Sequence, residues 1–442
     1  MSSVLHRDLG APLPMAVAGD GPYLIDAQGK RYLDASGGAM VSTLGHGHPR
    51  VVEAIVAQVR KLAFAHSTFF TNQPAEALAE RLIALAPPGF GAGRAGFVGS
   101  GSEAMEVALK LARQVHVERG EPGRDIFIAR RQSFHGNTLG ALGVSGHPAR
   151  RALYEPLLAK TPLVSPCHPF RNRLPGEEDE AYTDRLAAEL AAAIKAAGEG
   201  RVAAFLVEPI AGATLGSVPP VAGYLRKVRA VCDAAGVLLI ADEVMCGMGR
   251  AGDWFVMGQE SVTPDLIVIA KGLGAGYQPI GAVLAHERIC TAIVAGSGLL
   301  ANGHTYMSHA VACAAALAVI ETIESEGLLA AVQARGADLE AALRARFGDH
   351  PHVGDIRGRG LFWSLELVAD RARNAPVDPA RKLAIRLRKT AQEAGLICYP
   401  AAGTLDGIAG DHVTLAPPFI VTPGQIGAMV DRLEASLAAV LD

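Results

Sequence analysis

Ile267-Val268-Ile269-Ala270-Lys271-Gly272-Leu273-Gly274 ends an apolar run on a lysine and two glycines. Four successive apolar residues without polar alternation describe a strand buried on both faces, as in a mostly parallel sheet covered by helices. Working outward, residues 237–241 form a second buried strand, with Asp242-Glu243-Val244 directly behind it, and residues 203–207 form a third. Residues 95–98, 125–129 and 280–284 read as further strands. Helical spacing runs through residues 103–117 (Met105, Leu109, Ala112, His116), 224–235 and 309–324. Strands alternating with helices indicate an α/β fold.

The tail follows another pattern. From about residue 327, amphipathic helices (328–347 and 379–394) mix with short strands (361–367 and 412–416), and residues 348–351 and 373–379 read as turns. This is an α+β unit, joined by the first 50 residues, where Tyr23-Leu24-Ile25-Asp26 suggests a small hairpin. The expected division is 1–50 as the N-terminal segment of a small domain, 51–326 as a large domain and 327–442 as the C-terminal small domain. There is no internal repeat, and the Ala-rich stretch 186–197 reads as a surface helix.

A chain of 442 residues is too long for one compact core, so two domains are expected. Half of it is apolar and 19% is charged, as in globular proteins. A net charge of -3 gives no electrostatic reason to expect nucleic acid or an anionic membrane as partner, which points to small molecules. Six cysteines without a C-x-x-C pair read as reduced thiols. With no apolar stretch behind a basic start and no window long enough to span a bilayer, a cytoplasmic location is expected.

Three features carry chemistry. Gly99-Ser100-Gly101-Ser102-Glu103-Ala104 lies between a strand and a helix, where glycines, serines and free N–H groups cradle a phosphate. The same letters satisfy the G-x-G-x-x-A dinucleotide fingerprint or a simple tight turn. Asp242 ends a buried strand, where open α/β sheets bind ligands; the competing readings are an acidic turn or a metal ligand. No Gly-rich Lys-Ser/Thr loop precedes it, so no metal is expected. Lys271 closes an apolar run, and burial lowers a lysine's pKa toward the neutral amine that Schiff-base chemistry requires. Alone it would read as a structural lysine. Together, phosphate cradle, acid and lysine suit pyridoxal 5'-phosphate (PLP), which needs its phosphate anchored, its pyridinium paired with a carboxylate and its aldehyde held by an amine.

At this point the chain resembles the class III aminotransferases of PLP fold type I. The resemblance rests on Leu44-Gly-His-Gly-His-Pro49, Gly99-Ser-Gly-Ser-Glu-Ala104, Phe134-His-Gly136, Glu208-Pro-Ile210, Asp242-Glu-Val244, Ala270-Lys-Gly272, His304-Thr305 and Ala416-Pro-Pro418, in that order along nearly the whole chain. It implies a large domain with a mostly parallel seven-stranded sheet, a smaller α+β domain from both chain ends, and a homodimer. It implies Lys271 as Schiff-base lysine and general acid/base, Asp242 at the pyridinium, Phe134 and Val244 on the two ring faces, and Gly101 and Ser102 at the phosphate. Thr305 would reach the phosphate of the neighbouring subunit. Glu208 would stand beside the cofactor hydroxyl, and His135 is a further candidate contact. The implied reaction is a two-step ping-pong exchange, from amine donor to keto acid by way of pyridoxamine phosphate.

Family members acting on ornithine-like α-amino acids carry an arginine two residues before the Ala-Pro-Pro segment; here that position is Thr414, which cannot form a bidentate pair with a carboxylate. The expected donor therefore carries its amine on a carbon without a carboxylate, as in ω-amine:pyruvate transaminases. The acceptor still carries a carboxylate, for which Arg150, Arg151, Arg357 and Arg359 are candidate cations, each with a structural salt bridge as the competing reading. Met40, Phe69 and Phe70 are candidate pocket walls or ordinary core residues. Aminomutase, decarboxylase and diaminopelargonate-type aminotransferase activities share the same motifs, and an NAD-dependent oxidoreductase is the alternative from another class.

Overall fold

The computed structural model describes residues 3–10 and 13–441; the remaining positions of the expected N-terminal segment (1, 2, 11, 12) and Asp442 lie outside the described residues. The first part of the chain forms strands β1 (Ala16–Asp20), β2 (Tyr23–Asp26) and β3 (Arg31–Asp34). The middle forms β4 (Arg94–Val98), β5 (Ile126–Arg130), β6 (Leu163–Val164), β7 (Val202–Val207), β8 (Leu238–Asp242), β9 (Leu266–Ile269) and β10 (Gly281–Ala285). The last part forms β11 (Val353–Arg359), β12 (Phe362–Asp370), β13 (Ala375–Pro376), β14 (Leu396–Ile397), β15 (Tyr399–Ala402) and β16 (Asp411–Leu415).

The central sheet has seven strands in the order β4-β10-β9-β8-β7-β5-β6. Strands β9, β8, β7, β5 and β6 pair in parallel. Strand β10 runs antiparallel to both of its neighbours, so β4 points the same way as β9. Period-2 geometry sends alternate side chains to opposite faces. Ala204, Leu206, Ile240 and Val268 pack on one face with the Gly101–Glu118 helix. Phe205, Val207, Leu239 and Ala241 pack on the other, under the Asp179–Ala197 and Tyr224–Ala235 helices. Every residue of β7, β8 and β9 is buried, which is why these strands read as unbroken apolar runs.

The chain ends meet in a second sheet, β1-β2-β3-β14, in which Leu33 and Asp34 pair in parallel with Leu396 and Ile397. Strands β11, β12, β16 and β15 form a third. Residues 379–394 are not one helix as the sequence suggested. Pro379–Arg381 is a short 3-10 turn, Lys382 takes a left-handed φ of 48°, and the helix proper is Leu383–Glu393. Asp378 accepts the Ala380 N–H and so caps the turn ahead of the helix. Within the expected turn 373–379, Ala375–Pro376 pairs with the edge of β12.

A buried ion cluster fastens the third sheet to the loop after β7. Glu366 of β12 is fully buried and meets Arg357 at 2.6 Å, Arg171 at 2.6 Å and His168 at 3.6 Å. Arg357 also donates through Nε to the Gly216 carbonyl at 2.7 Å and through Nη2 to that of Leu215. Burial alone would raise the Glu366 carboxyl, but Arg357, His168 and Arg171 outweigh it and hold it well below the usual range. Glu366→Ala leaves buried Arg357 and part-buried Arg171 without their shared carboxylate and is expected to cost about 3–5 kcal/mol of stability, read as a lower urea midpoint. Because the folded carboxyl is depressed, this contribution is complete above the ordinary glutamate pKa of about 4.3 and fades as pH falls below it, so the gap between wild type and variant narrows in acid.

Candidate active site

The shared direction of β4, β5, β7, β8 and β9 brings the ends of five strands to one edge of the sheet, and a cavity of about 290 Å³ opens there. Behind β4, Ser100 caps the Gly101–Glu118 helix by accepting the Glu103 N–H at 3.2 Å, and Glu103 Oε2 accepts the Gly99 N–H at 2.6 Å. The remaining N–H groups of the first turn, at Gly101 and Ser102, have no carbonyl a turn earlier to bond. A Cβ on Gly101 would lie 3.2 Å from Val244 Cγ1 and 3.3 Å from the Ala270 Cβ, so glycine lets three strand-end loops close together here.

Phe134, His135 and Gly136 follow β5 and all line the cavity. Gly136 has a φ of 149°, and a Cβ there would stand 2.7 Å from that of Ala141. The His135 N–H donates to Ser145 Oγ at 2.8 Å, and its Nδ1 lies 2.7 Å from Asp242 Oδ2. Against a carboxylate, Nδ1 carries the ring proton and donates it. Asp242 Oδ1 accepts the Val244 N–H at 3.1 Å, which leaves its remaining lone pairs for the cavity it lines. The neighbouring acid has another job. Glu243 accepts the Val256 and Met257 N–H groups, each at 2.8 Å, and so anchors the Val256–Gln259 helix. Burial pushes its carboxyl up to about 7 against those two bonds.

Glu208, directly behind β7, lines the cavity with a buried Oε2 that lacks a hydrogen-bond partner, 3.6 Å from Arg130. Burial raises its carboxyl, with His135 and Arg130 opposing and Asp242 adding to the rise. Lys271 follows β9 with a left-handed φ of 45°, a strain of about 1–3 kcal/mol in a non-glycine residue. Burial brings its amine down to about 8; Asp242 opposes the shift and Arg150 adds to it.

Of the positions singled out from sequence, Gly101, Ser102, Phe134, His135, Glu208, Asp242, Val244 and Lys271 share this one cavity. Nine others are not among its lining residues, Arg150, Arg151, Arg357 and Arg359 included. Thr305 is exposed in a turn, and Phe69 and Phe70 are 76% and 68% exposed. Met40 is buried in a cluster with Ile210, Cys246, Phe362 and Ala416, while its neighbour Val41 faces the cavity. Thr414 is buried in β16 with its hydroxyl 2.8 Å from that of Ser364, which donates in turn to Ser217 Oγ at 2.9 Å. The sequence reading missed Val41, Ile210, Met245 and the Gln278-Pro279-Ile280 wall. Ile210 and Met245 stand within two residues of flagged positions, but an apolar wall carries no chemical signature of its own.

The set fits pyridoxal phosphate: an anion cradle at a helix N-terminus, a carboxylate with free lone pairs, aromatic and aliphatic walls, and a lysine with a lowered pKa. Comparison with known proteins agrees. The class-III aminotransferase family model matches residues 7–437. An uncharacterized aminotransferase of Schizosaccharomyces pombe is 43% identical over 96% of this chain and 93% of its own. The aminotransferase YodT of Bacillus subtilis is 37% identical over 100% and 98%. An omega transaminase of Pseudomonas jessenii, solved in complex with PMP, superposes with a TM-score of 0.90 at 34% identity, covering 97% of this chain and 93% of that one.

Competitive acetylation of the cofactor-free protein is expected to give Lys271 a half-maximal reactivity near pH 8, against about 10.4 for an ordinary lysine. Lys271→Met stabilises the cofactor-free protein below pH 8, and the gain disappears as pH approaches the ordinary lysine value.

Proposed function

The chain belongs to the class-III aminotransferases and catalyses PLP-dependent amino transfer, and from that premise we propose the roles of its residues and its substrate class. Lys271 Nζ is the amine that holds the cofactor's aldehyde. Gly101 and Ser102 N–H groups take the phosphate, Asp242 accepts the ring N–H, and Phe134 and Val244 enclose the ring. Bound PLP supplies a carbonyl carbon that takes up amines and a pyridinium ring that draws electrons from the adjoining carbon. With the aldehyde released, Lys271 Nζ would be free to take the proton from the donor carbon and return it within the same cavity, helped by burial that weakens its hold on a proton. His135 Nδ1–H fixes the Asp242 carboxylate, which would then be held ready for the ring N–H.

The observation that carries this reading is the convergence of Lys271, Asp242 and the Gly101 helix terminus on one cavity. The donor follows from Thr414, whose hydroxyl is spent on Ser364 and which leaves an α-carboxylate without its arginine. We take the donor to be an amine or ω-amino acid and the acceptor a keto acid such as pyruvate. Exposed Phe69, Phe70 and Thr305 support a homodimer in which Thr305 reaches the partner's phosphate site. The β3–β14 pairing supports 1–50 and 327–442 as one domain around the 51–326 domain. Six free cysteines suit a cytoplasmic setting.

In the PLP-loaded protein, a primary amine without a carboxylate is expected to bleach the cofactor's visible band, and pyruvate to restore it. Bleaching by α-amino acids alone would overturn the donor assignment. Asp242→Asn is expected to slow both phases by about 10²–10³-fold, the usual loss when one preorganised charge partner is removed.

A further inference from the structure

We propose that Arg150 is the cation that binds the carboxylate of the keto-acid acceptor, against the Phe134 wall of the cavity. The inference rests on the aminotransferase reading and names the residue that selects its acceptor.

A keto acid brings an anionic carboxylate into a largely apolar cavity, so the site needs a cation whose N–H groups are not already bonded. Four other arginines already hold hydrogen-bonded partners. Arg151 donates through Nη1 to the carbonyls of Leu142, Gly143 and Ser145 at 3.1, 2.7 and 2.7 Å, and pairs with Glu155 through Nε and Nη2. Arg357 is committed to Glu366, Asp355 and two carbonyls. Arg359 donates to Gln259 and Glu260. Arg130 donates to the Glu208 carbonyl at 2.6 Å and faces the Glu208 carboxylate.

Arg150 differs from all four. Among the described residues no carboxylate lies within ion-pair distance of it and no hydrogen bond ties its side chain; its guanidinium carbon sits 4.2 Å from the centre of the Phe134 ring. Stacking engages the flat face of a guanidinium and leaves its N–H edge available for a bidentate carboxylate. Phe134 lines the cavity, and the charge of Arg150 reaches Lys271 strongly enough to help depress its amine.

The backbone under Arg150 is well held. The Pro148–Arg151 turn is pinned by the Arg151 carbonyl bonds, and the loop beyond β15 packs on it so closely that a Cβ on Gly407 would lie 2.9 Å from the Ala149 nitrogen. Gln132 donates to the Leu405 carbonyl of that same loop. A fixed base carrying an untied guanidinium serves both half-reactions. An amine without a carboxylate leaves Arg150 resting on Phe134, and a keto acid draws it into a charge-assisted pair.

The test compares acceptors in the loaded dimeric enzyme after the donor amine has been removed. Arg150→Gln is expected to raise the pyruvate concentration for half-maximal return of the visible band roughly 10- to 100-fold, with propanal, which has no carboxylate, changed by less than about twofold. Arg150→Lys, which keeps the charge without the fork, should fall between. Propanoate, a carboxylate that cannot react, gives a readout independent of turnover: calorimetric titration should show it binding wild type and weakened by the same factor in Arg150→Gln. Equal losses for pyruvate and propanal, or no change in pyruvate and propanoate, would overturn the assignment. A wild type that exchanges amino groups with no carbonyl compound would overturn the functional reading instead, and the propanoate titration would still decide whether Arg150 binds carboxylates.

Discussion

The close approach of Gly101 to the Val244 side chain and Ala270 is the constraint on which the rest of the arrangement depends. A parallel sheet collects strand ends at one edge, but it does not by itself bring a helix terminus, an acid and a lysine within reach of one small molecule. That requires the first turn of the Gly101–Glu118 helix to lie almost against the turns behind β8 and β9, where a Cβ at position 101 would press on both at 3.2–3.3 Å. The missing side chain therefore sets how closely the helix terminus lies to the ends of β8 and β9. Gly281 makes a similar allowance from beneath, since a Cβ there would stand 2.3 Å from the Ser100 carbonyl.

Around that approach the buried charges stand close to one another. Asp242 is held by His135 and its own turn, Glu208 stands beside Arg130, and Lys271 is buried enough to give up its proton near pH 8. Burial dominates the Lys271 shift, with Asp242 pulling the other way, so the lysine's position below a sheet edge matters more than any single neighbour. The strained backbone at Lys271 fits the same pattern, because an unfavourable φ is retained where a side chain has to point in one direction.

Much of this was legible in the chain. Lys271, Asp242 and the Gly99–Ala104 loop stood out because each interrupts an apolar run with chemistry that a buried strand does not otherwise carry. The strands β7, β8 and β9 were readable because both of their faces are covered. What escaped was whatever depends on contacts between distant segments. Nothing near Asp242 in sequence announces that His135 lies 2.7 Å away. Met40 and Val41 differ only in which way a kinked turn sends them, and a φ of 62° at Met40 buries one and turns the other to the cavity. The two acids of Asp242-Glu243 look alike until the Val256 and Met257 N–H groups claim the second. Four candidate arginines were equivalent as letters, and their hydrogen bonds separate them.

Everything proposed for this strand-end edge turns on Lys271 as the residue that holds the cofactor. Borohydride reduction of the PLP-loaded protein, followed by peptide mass spectrometry, tests it most directly. A single pyridoxyl group is expected on the peptide that carries Lys271, absent from Lys271→Ala. Labelling of a different lysine, or no stable label on a protein that still binds PLP, would contradict it.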